Sequence, residues 1–125
     1  MKTIKGSEKV KSESKENILE SYGFISRLEY SIKIDMSDKI NCIVNMKLLD
    51  NMTNPTSEMD ITFSGVQGLM ISNEGNVILQ SSGFAILNIQ DFGWEHISWE
   101  FFDYEHSTVF FYASEVEIVS ELHLS

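Results

Sequence analysis

The chain has 125 residues, of which 42% are hydrophobic, and it contains seven glycines and one proline. This length and composition are typical of one folded domain and exclude a fibrous or a disordered chain. The net charge of −10 disfavours binding to nucleic acid, because contacts with a phosphate backbone require a basic surface.

The chain begins with a polar segment. Residues 1–17 are rich in lysine, glutamate and serine and have few apolar positions, which predicts a flexible basic and polar tail. A single β domain is predicted to follow over residues 18–125. A short N-terminal helix over residues 8–21 remains an alternative, and so does a basic arm that binds a partner.

Two strands are predicted at the start of the domain. Apolar and polar residues alternate over residues 24–35, which is typical of a half-buried strand. The alternation returns over residues 40–48, and the short connection between the two segments predicts an antiparallel hairpin. The apolar face of this hairpin is expected to consist of Phe24, Leu28, Tyr30, Ile32, Ile34, Ile40, Cys42, Val44, Met46 and Leu48.

The remaining elements are predicted to be short strands as well. Residues 59–71 alternate, but Gly65 and Gly68 interrupt the pattern and indicate a bulge or a sharp twist. The sequence NEGN at 73–76 predicts a tight turn. Further strands are predicted over residues 77–80, 84–90, 95–103, 108–113 and 116–124. The whole pattern predicts an all-β fold, an antiparallel β-sandwich or small barrel of seven or eight short strands.

Aromatic rings and carboxylates lie side by side in WEHISWEFFDYEHSTVFFYA, residues 94–113. On strand 95–103 the rings of Trp99 and Phe101 share one face and are expected in the core, whereas Glu100 is expected to face water. The segment TVFFYA is apolar on both faces, which indicates a central strand or one covered by a partner.

Acids in the segments before and after the TVFFYA strand are also predicted to be exposed. The segment DYEHS is expected to form a hairpin tip that carries Asp103 and Glu105 into solvent. In the C-terminal strand Val116 and Ile118 are expected to point inward. Three acids are expected on the opposite, solvent-facing side of that strand, namely Glu115, Glu117 and Glu121.

The two signs of charge are separated along the chain. All nine Lys and Arg residues lie within residues 1–47, whereas residues 48–125 contain twelve Asp and Glu residues and no Lys or Arg. Acids that lack cations nearby repel each other and lower stability. They form either a merely solvated surface or a surface for a basic partner such as a cationic protein, a polyamine or a divalent metal.

Catalytic and metal-binding motifs are not found. There is no spacing typical of a zinc site, no calcium loop, no GxSxG element for a Ser/His/Asp triad and no phosphate-binding glycine loop. Cys42 lies on the core face of its predicted strand, which disfavours a nucleophilic thiol. The prediction is therefore a protein that is not an enzyme and that uses no cofactor.

The sequence predicts a cytoplasmic protein. No apolar stretch is long enough to span a membrane, and no apolar segment follows the N-terminal lysines as in a signal peptide. Cys42 is the only cysteine, so the chain cannot form an intrachain disulfide, which favours a reducing compartment.

Four segments resemble a group of known proteins: GFISRLEYSIKIDM, NCIVNMKLLD, DITFSGVQGLMI and GWEHISWEFFDYEHSTVFFYASEVEI. Together, over roughly residues 22–118, they look similar to small β-rich Bacillus-type proteins encoded near polymorphic toxin genes, some of which act as immunity proteins. The motif behind the resemblance is the D-Y-E turn followed by an aromatic strand and an E-V-E-I ending. The resemblance implies a non-enzymatic protein whose role is toxin-neutralising or unknown, and it implies no catalytic residues.

The charge pattern and the resemblance lead to one hypothesis. The chain is expected to be an immunity protein that binds a cationic toxin domain through an acidic surface. The expected kind of toxin domain is a nuclease. The alternative is a β-sandwich module that assembles with copies of itself through its aromatic strand, burying Phe110 and Tyr112. The residues expected to contact the toxin are Asp91, Trp94, Glu95, Glu100, Asp103, Tyr104, Glu105, Glu115, Glu117 and Glu121.

Overall fold

The architecture is that of a computed structural model. It describes residues 4–10, 19, 22–51, 53–71, 79–80, 84–89, 97–103 and 109–124. Over these residues the only helix is a single 3-10 turn at Ser7–Lys9, and all other regular structure is β. The predicted helix over 8–21 lies largely outside them.

Over the described residues nine strands form two antiparallel sheets, so the predicted all-β sandwich is confirmed. The first sheet has the strand order β5-β1-β2-β3-β9 and the second has the order β4-β8-β7-β6. Neither sheet closes on itself within the described ranges, which distinguishes the fold from a barrel. The strands are β1 Phe24–Ile34, β2 Ile40–Leu49, β3 Ser57–Ser64, β4 Gln67–Ile71, β5 Leu79–Gln80, β6 Phe84–Asn88, β7 Trp99–Asp103, β8 Val109–Ala113 and β9 Glu115–His123.

The core lies between the two sheets and is rich in aromatic rings. Phe63 of the first sheet packs edge-on against Phe101 and Phe111 of the second, with ring centroids 5.3 and 4.8 Å apart. Trp99 is also buried, so the predicted inward face of this strand is confirmed for both of its rings. Such edge-to-face packing adds to the free energy gained from burying apolar surface.

Two of the points at which the chain passes from one sheet to the other touch each other. Between β3 and β4 it turns at Gly65, whose φ of 64° is left-handed. Between β8 and β9 it turns at Ser114, which donates both its N–H and its hydroxyl to the carbonyl of Ser64. The interruption predicted at Gly65 is therefore a change of sheet, and a bulge in the pairing follows between Gln67 and Met70.

A bulge in β1 changes which of its residues face the core. The pairing with β2 shifts by one residue between Ile25 and Arg27, so Ser26 is the extra residue. Ile25 consequently faces inward and is buried, although the plain alternation assigns Phe24 to the core at this point. Phe24 is only partly buried.

A second bulge reverses the end of β9. Ile61 pairs with Ile118 but Asp60 pairs with Ser120, so Val119 is the extra residue. A one-residue shift moves all following side chains to the opposite face. Glu121 therefore points inward beside Met59, and the prediction that it shares the outer face of β9 is wrong.

The end of the β1–β2 hairpin extends beyond its neighbours. β3 ends at Ser64 opposite Ile43, so the hairpin residues past this point lack a strand beside β2. Ile34 and Ile40 are 66% and 68% exposed, and Cys42 is only partly buried. The prediction that the whole apolar face of the hairpin is buried is wrong at this end.

The N-terminal segment lies along β9. The N–H of Lys5 donates to the carbonyl of Val116, the N–H of Ile118 donates to the carbonyl of Lys5, and Ile4 and Val10 pack against the core. Residues 4–10 thus differ from the flexible tail expected for residues 1–17.

Candidate functional site

Five of the ten residues expected to contact a partner lie outside the residues that the structure describes, namely Asp91, Trp94, Glu95, Tyr104 and Glu105.

The exposed acids among the other five do not form one surface. Glu100 pairs with Tyr112 on β8 and lies on the outer face of the second sheet, opposite in parity to the buried Phe101. Glu115 and Glu117 lie on the outer face of the first sheet, and Val116 between them points inward and is buried. Because the outer faces of a sandwich point away from each other, one partner surface cannot include both groups.

Asp103 and Glu121 are buried instead of exposed. Asp103 is 2% exposed, and its Oδ1 accepts a hydrogen bond of 3.2 Å from the N–H of Val109. It therefore joins β7 to β8 from inside the hairpin, and the prediction that it faces solvent is wrong. The side chain of Glu121 is only 4% exposed.

Glu121 belongs to a polar cluster at the end of the first sheet. The hydroxyl of Tyr22 donates to Glu121 Oε2 at 2.7 Å, and His123 Nε2 lies 3.0 Å from Glu121 Oε1. His123 Nδ1 lies 3.1 Å from the hydroxyl of Ser57. Burial and the hydrogen bond to Glu121 raise the pKa of Tyr22 well above its ordinary range.

The order Ser57–His123–Glu121 has the connectivity of a hydrolytic triad. A triad requires donors that stabilise an oxyanion beside the serine. Beside Ser57 the polar groups are instead acidic, since its N–H donates to the carboxylate of Asp50 at 3.1 Å. The cluster links these side chains by hydrogen bonds at the end of the first sheet. The alternation could not reveal it, because it depends on the bulge at Val119.

Asp50 organises the loop before β3. Its carboxylate accepts hydrogen bonds from the hydroxyl and the N–H of Thr56 and from the N–H of Ser57. Partial burial alone would raise the pKa of Asp50, but these hydrogen bonds outweigh burial and lower it.

A groove crosses the outer face of the first sheet. Its volume is about 310 Å³, and its lining includes Arg27, Glu29, Asn45, Asp60, Thr62 and Val119. Asp60 Oδ2 accepts a weak hydrogen bond of 3.3 Å from the hydroxyl of Ser120, but its buried Oδ1 has no hydrogen-bond partner. A buried acceptor without a donor costs about 1–3 kcal/mol.

Cations from the first part of the chain neutralise part of the acidic surface. Lys5 Nζ lies 3.4 Å from Glu115, and Lys47 Nζ lies 3.9 Å from Glu58. The premise that nothing within the chain balances the acids beyond residue 47 is therefore too strong. Within the part that the structure describes, Asp60 and Glu117 form no ion pair.

Asp60 is not among the residues that the sequence predicts to contact a partner. Its position opposite Lys47 and between buried Met59 and Ile61 follows from the alternation. The lack of a hydrogen-bond partner for Asp60 Oδ1 does not follow from the alternation, because it depends on how four strands are arranged around this carboxylate.

Comparisons with known proteins provide no relative. Family models, curated proteins and solved structures were compared with the chain, and none of them matches it. Among the described residues, no group of three or more His, Cys, Asp or Glu side chains is arranged to hold a metal ion. None of the helical structure in those residues is long and apolar enough to cross a membrane.

Proposed function

We propose that the chain is a binding protein without catalytic activity that receives a cationic partner on the outer face of its first sheet. The observation that carries the proposal is the carboxylate of Asp60, which lines the groove and has an oxygen without a donor. A rotation of this carboxylate turns that oxygen toward a bound cation. A Lys or Arg side chain in the groove then supplies the missing hydrogen bond together with an opposite charge.

Glu117 extends this surface along β9. It pairs with Thr62, which also lines the groove, and its side chain is exposed. Together with Asp60 it offers two acids that form no ion pair within the described residues. Glu115 lies next on the same face, where Lys5 is its partner in the free protein and competes with an incoming cation.

The partner that fits the resemblance is a toxin domain with a basic substrate-binding surface, such as a nuclease. A cytoplasmic immunity protein has to bind its toxin quickly, and complementary charge raises the rate of association by roughly 10- to 1,000-fold. In this proposal the acids of the first sheet occupy the surface with which the toxin binds phosphate.

Titration calorimetry with a panel of basic nuclease toxin domains tests the proposal. We expect binding at low salt that weakens as salt is added, and we expect Asp60→Asn and Glu117→Gln each to weaken it. Glu100→Gln is the matched control, because it removes one charge from the opposite face of the sandwich. Equal effects of all three substitutions, or no binding at low salt, would contradict the proposal.

Assembly through the aromatic strand, the alternative expected from the sequence, is opposed by the strand order. β8 lies between β4 and β7, so both of its backbone edges are occupied. Phe110 and Tyr112 contact each other on the outer face of that sheet, with ring centroids 5.0 Å apart. Self-assembly by edge-to-edge strand pairing therefore has to use another strand.

A further inference from the structure

Among the strands that the structure describes, none pairs with most of the outer edge of β1. β5 pairs with β1 only at Phe24 and Ile25, and over residues 26–34 no described strand lies on that side. The backbone N–H and C=O groups that point sideways there can pair with an added strand.

The side chains along this edge are more apolar than is usual for an exposed strand. Tyr30, Ile32 and Ile34 are 46%, 59% and 66% exposed, and they lie on the same face. Natural proteins generally protect an open edge with charge, proline or a covering segment. On the opposite face of the strand the exposed residues include Arg27, Glu29 and Lys33, two of which have the same sign of charge.

We propose that β1 is the interface of a homodimer. In this interface β1 pairs antiparallel with β1 of a second copy, about a two-fold axis through Ser31. The two first sheets then join into one continuous sheet, and the apolar faces of the two hairpin ends lie side by side. The proposal goes beyond the function proposed above and does not depend on it.

The sequence of β1 is complementary to itself in this register. Directly opposite residues share a face in an antiparallel pair. With the axis at Ser31, Tyr30 lies opposite Ile32 of the second copy. Glu29 lies opposite Lys33, and by symmetry each of these contacts forms twice.

The same register also matches the ends of the open segment. Leu28 lies opposite Ile34 on the apolar face. Arg27 lies opposite Asp35, the residue after the end of β1. The pairing therefore covers residues 27–35 and ends where β5 begins to occupy the edge.

Neighbouring registers are unfavourable. An axis through Tyr30 places Arg27 opposite Lys33, and an axis through Ile32 places Glu29 opposite Asp35, so both bring like charges together. An axis between two residues would place directly opposite residues on different faces, which an antiparallel pair does not allow. This selection of one register by charge is what favours a second copy of the chain over an unrelated strand.

Sedimentation velocity of the full chain over a range of concentrations measures the dimer. We expect Glu29→Lys to weaken it by at least about tenfold, because two Lys–Lys contacts replace two Glu–Lys contacts. The double variant Glu29→Lys/Lys33→Glu restores opposite charges and should restore the dimer. Glu100→Lys changes the net charge equally on the other sheet and should leave the dimer intact.

Oxidative crosslinking tests the register. In a Cys42→Ser background, Ser31→Cys places two thiols at the axis and should form a disulfide-linked dimer, whereas Ser26→Cys on the same strand should not. Circular dichroism confirms that each variant is folded. A protein that is monomeric at every concentration overturns the proposal, and so does a dimer that Glu29→Lys leaves unchanged or that Ser26→Cys crosslinks as well as Ser31→Cys.

Discussion

Gly65 lies against Ser114 at the place where the chain passes between the two sheets. A Cβ atom on Gly65 would be 2.0 Å from the hydroxyl oxygen of Ser114 and 2.9 Å from its Cβ. The hydroxyl of Ser114 is held by the carbonyl of Ser64 and cannot move away without losing that bond. The two crossings therefore fit together only when residue 65 has no side chain.

Gly65→Ala is expected to lower the free energy of unfolding by about 2–4 kcal/mol, from positive-φ strain and from the clash with Ser114. Gly68→Ala is the matched control. Its φ is also positive, at 66°, but its nearest neighbour would be 3.7 Å away, so only about 1–2 kcal/mol should be lost. Urea unfolding of the two variants measures the difference, and equal losses would contradict the role given to Ser114.

Asp103→Ala is expected to destabilise the protein by about 1–3 kcal/mol, because the buried N–H of Val109 loses its acceptor. Glu100→Ala, on the same strand but partly exposed, should change stability by less than about 0.5 kcal/mol. Chemical denaturation measures both values. A mild effect at Asp103 would show that its carboxylate does not hold the β7–β8 hairpin.

Alkaline pH is expected to destabilise the protein through Tyr22. The pKa of this phenol is raised in the folded protein, so its contribution is present below about pH 10, the pKa of an unfolded tyrosine. The contribution is lost as the pH rises above that value, because the unfolded chain releases the proton first. Thermal unfolding should show this decline for the natural chain and a smaller decline for Tyr22→Phe.

Acidic pH is expected to lower the free energy of unfolding through Asp50, which organises the loop before β3. The pKa of Asp50 is lowered in the folded protein, so its contribution is present above about pH 4 and is lost as the pH falls. Asp50→Asn should therefore lose stability at neutral pH and show a flatter dependence between neutral and acidic pH. An unchanged acid profile would indicate that the hydrogen bonds from Thr56 and Ser57 do not depend on the charge.

The alternation of apolar and polar residues was sufficient to predict the class of fold and most inward faces, such as that of Trp99 and Phe101. It failed where an extra residue enters a strand. The bulges at Ser26 and Val119 change the face of Ile25 and Glu121, and no local residue type marks them. Burial of Asp103 also escaped prediction, because a carboxylate that accepts a backbone N–H has the same sequence signature as one in water.

The candidate site was harder to predict than the fold. Charge counting along the chain identified an excess of acids but could not show that Lys5 returns to Glu115 across the whole length of the chain. It also could not show that Glu100 and Glu117 lie on opposite outer faces of the sandwich. Residues close in sequence reach opposite faces here because the chain changes sheets at Ser114.

The contact of Lys5 with Val116 and Ile118 has a consequence for how far association can proceed. It occupies the backbone edge of β9 at Val116–Ile118, so a strand added there has to displace Lys5, whereas the described edge of β1 is open. Pairing through β1 about a two-fold axis joins two molecules and leaves β9 at both outer edges of the combined sheet. Among the described residues, removal of the first ten exposes the backbone of β9 at Val116–Ile118, so such a chain is expected to associate beyond the dimer.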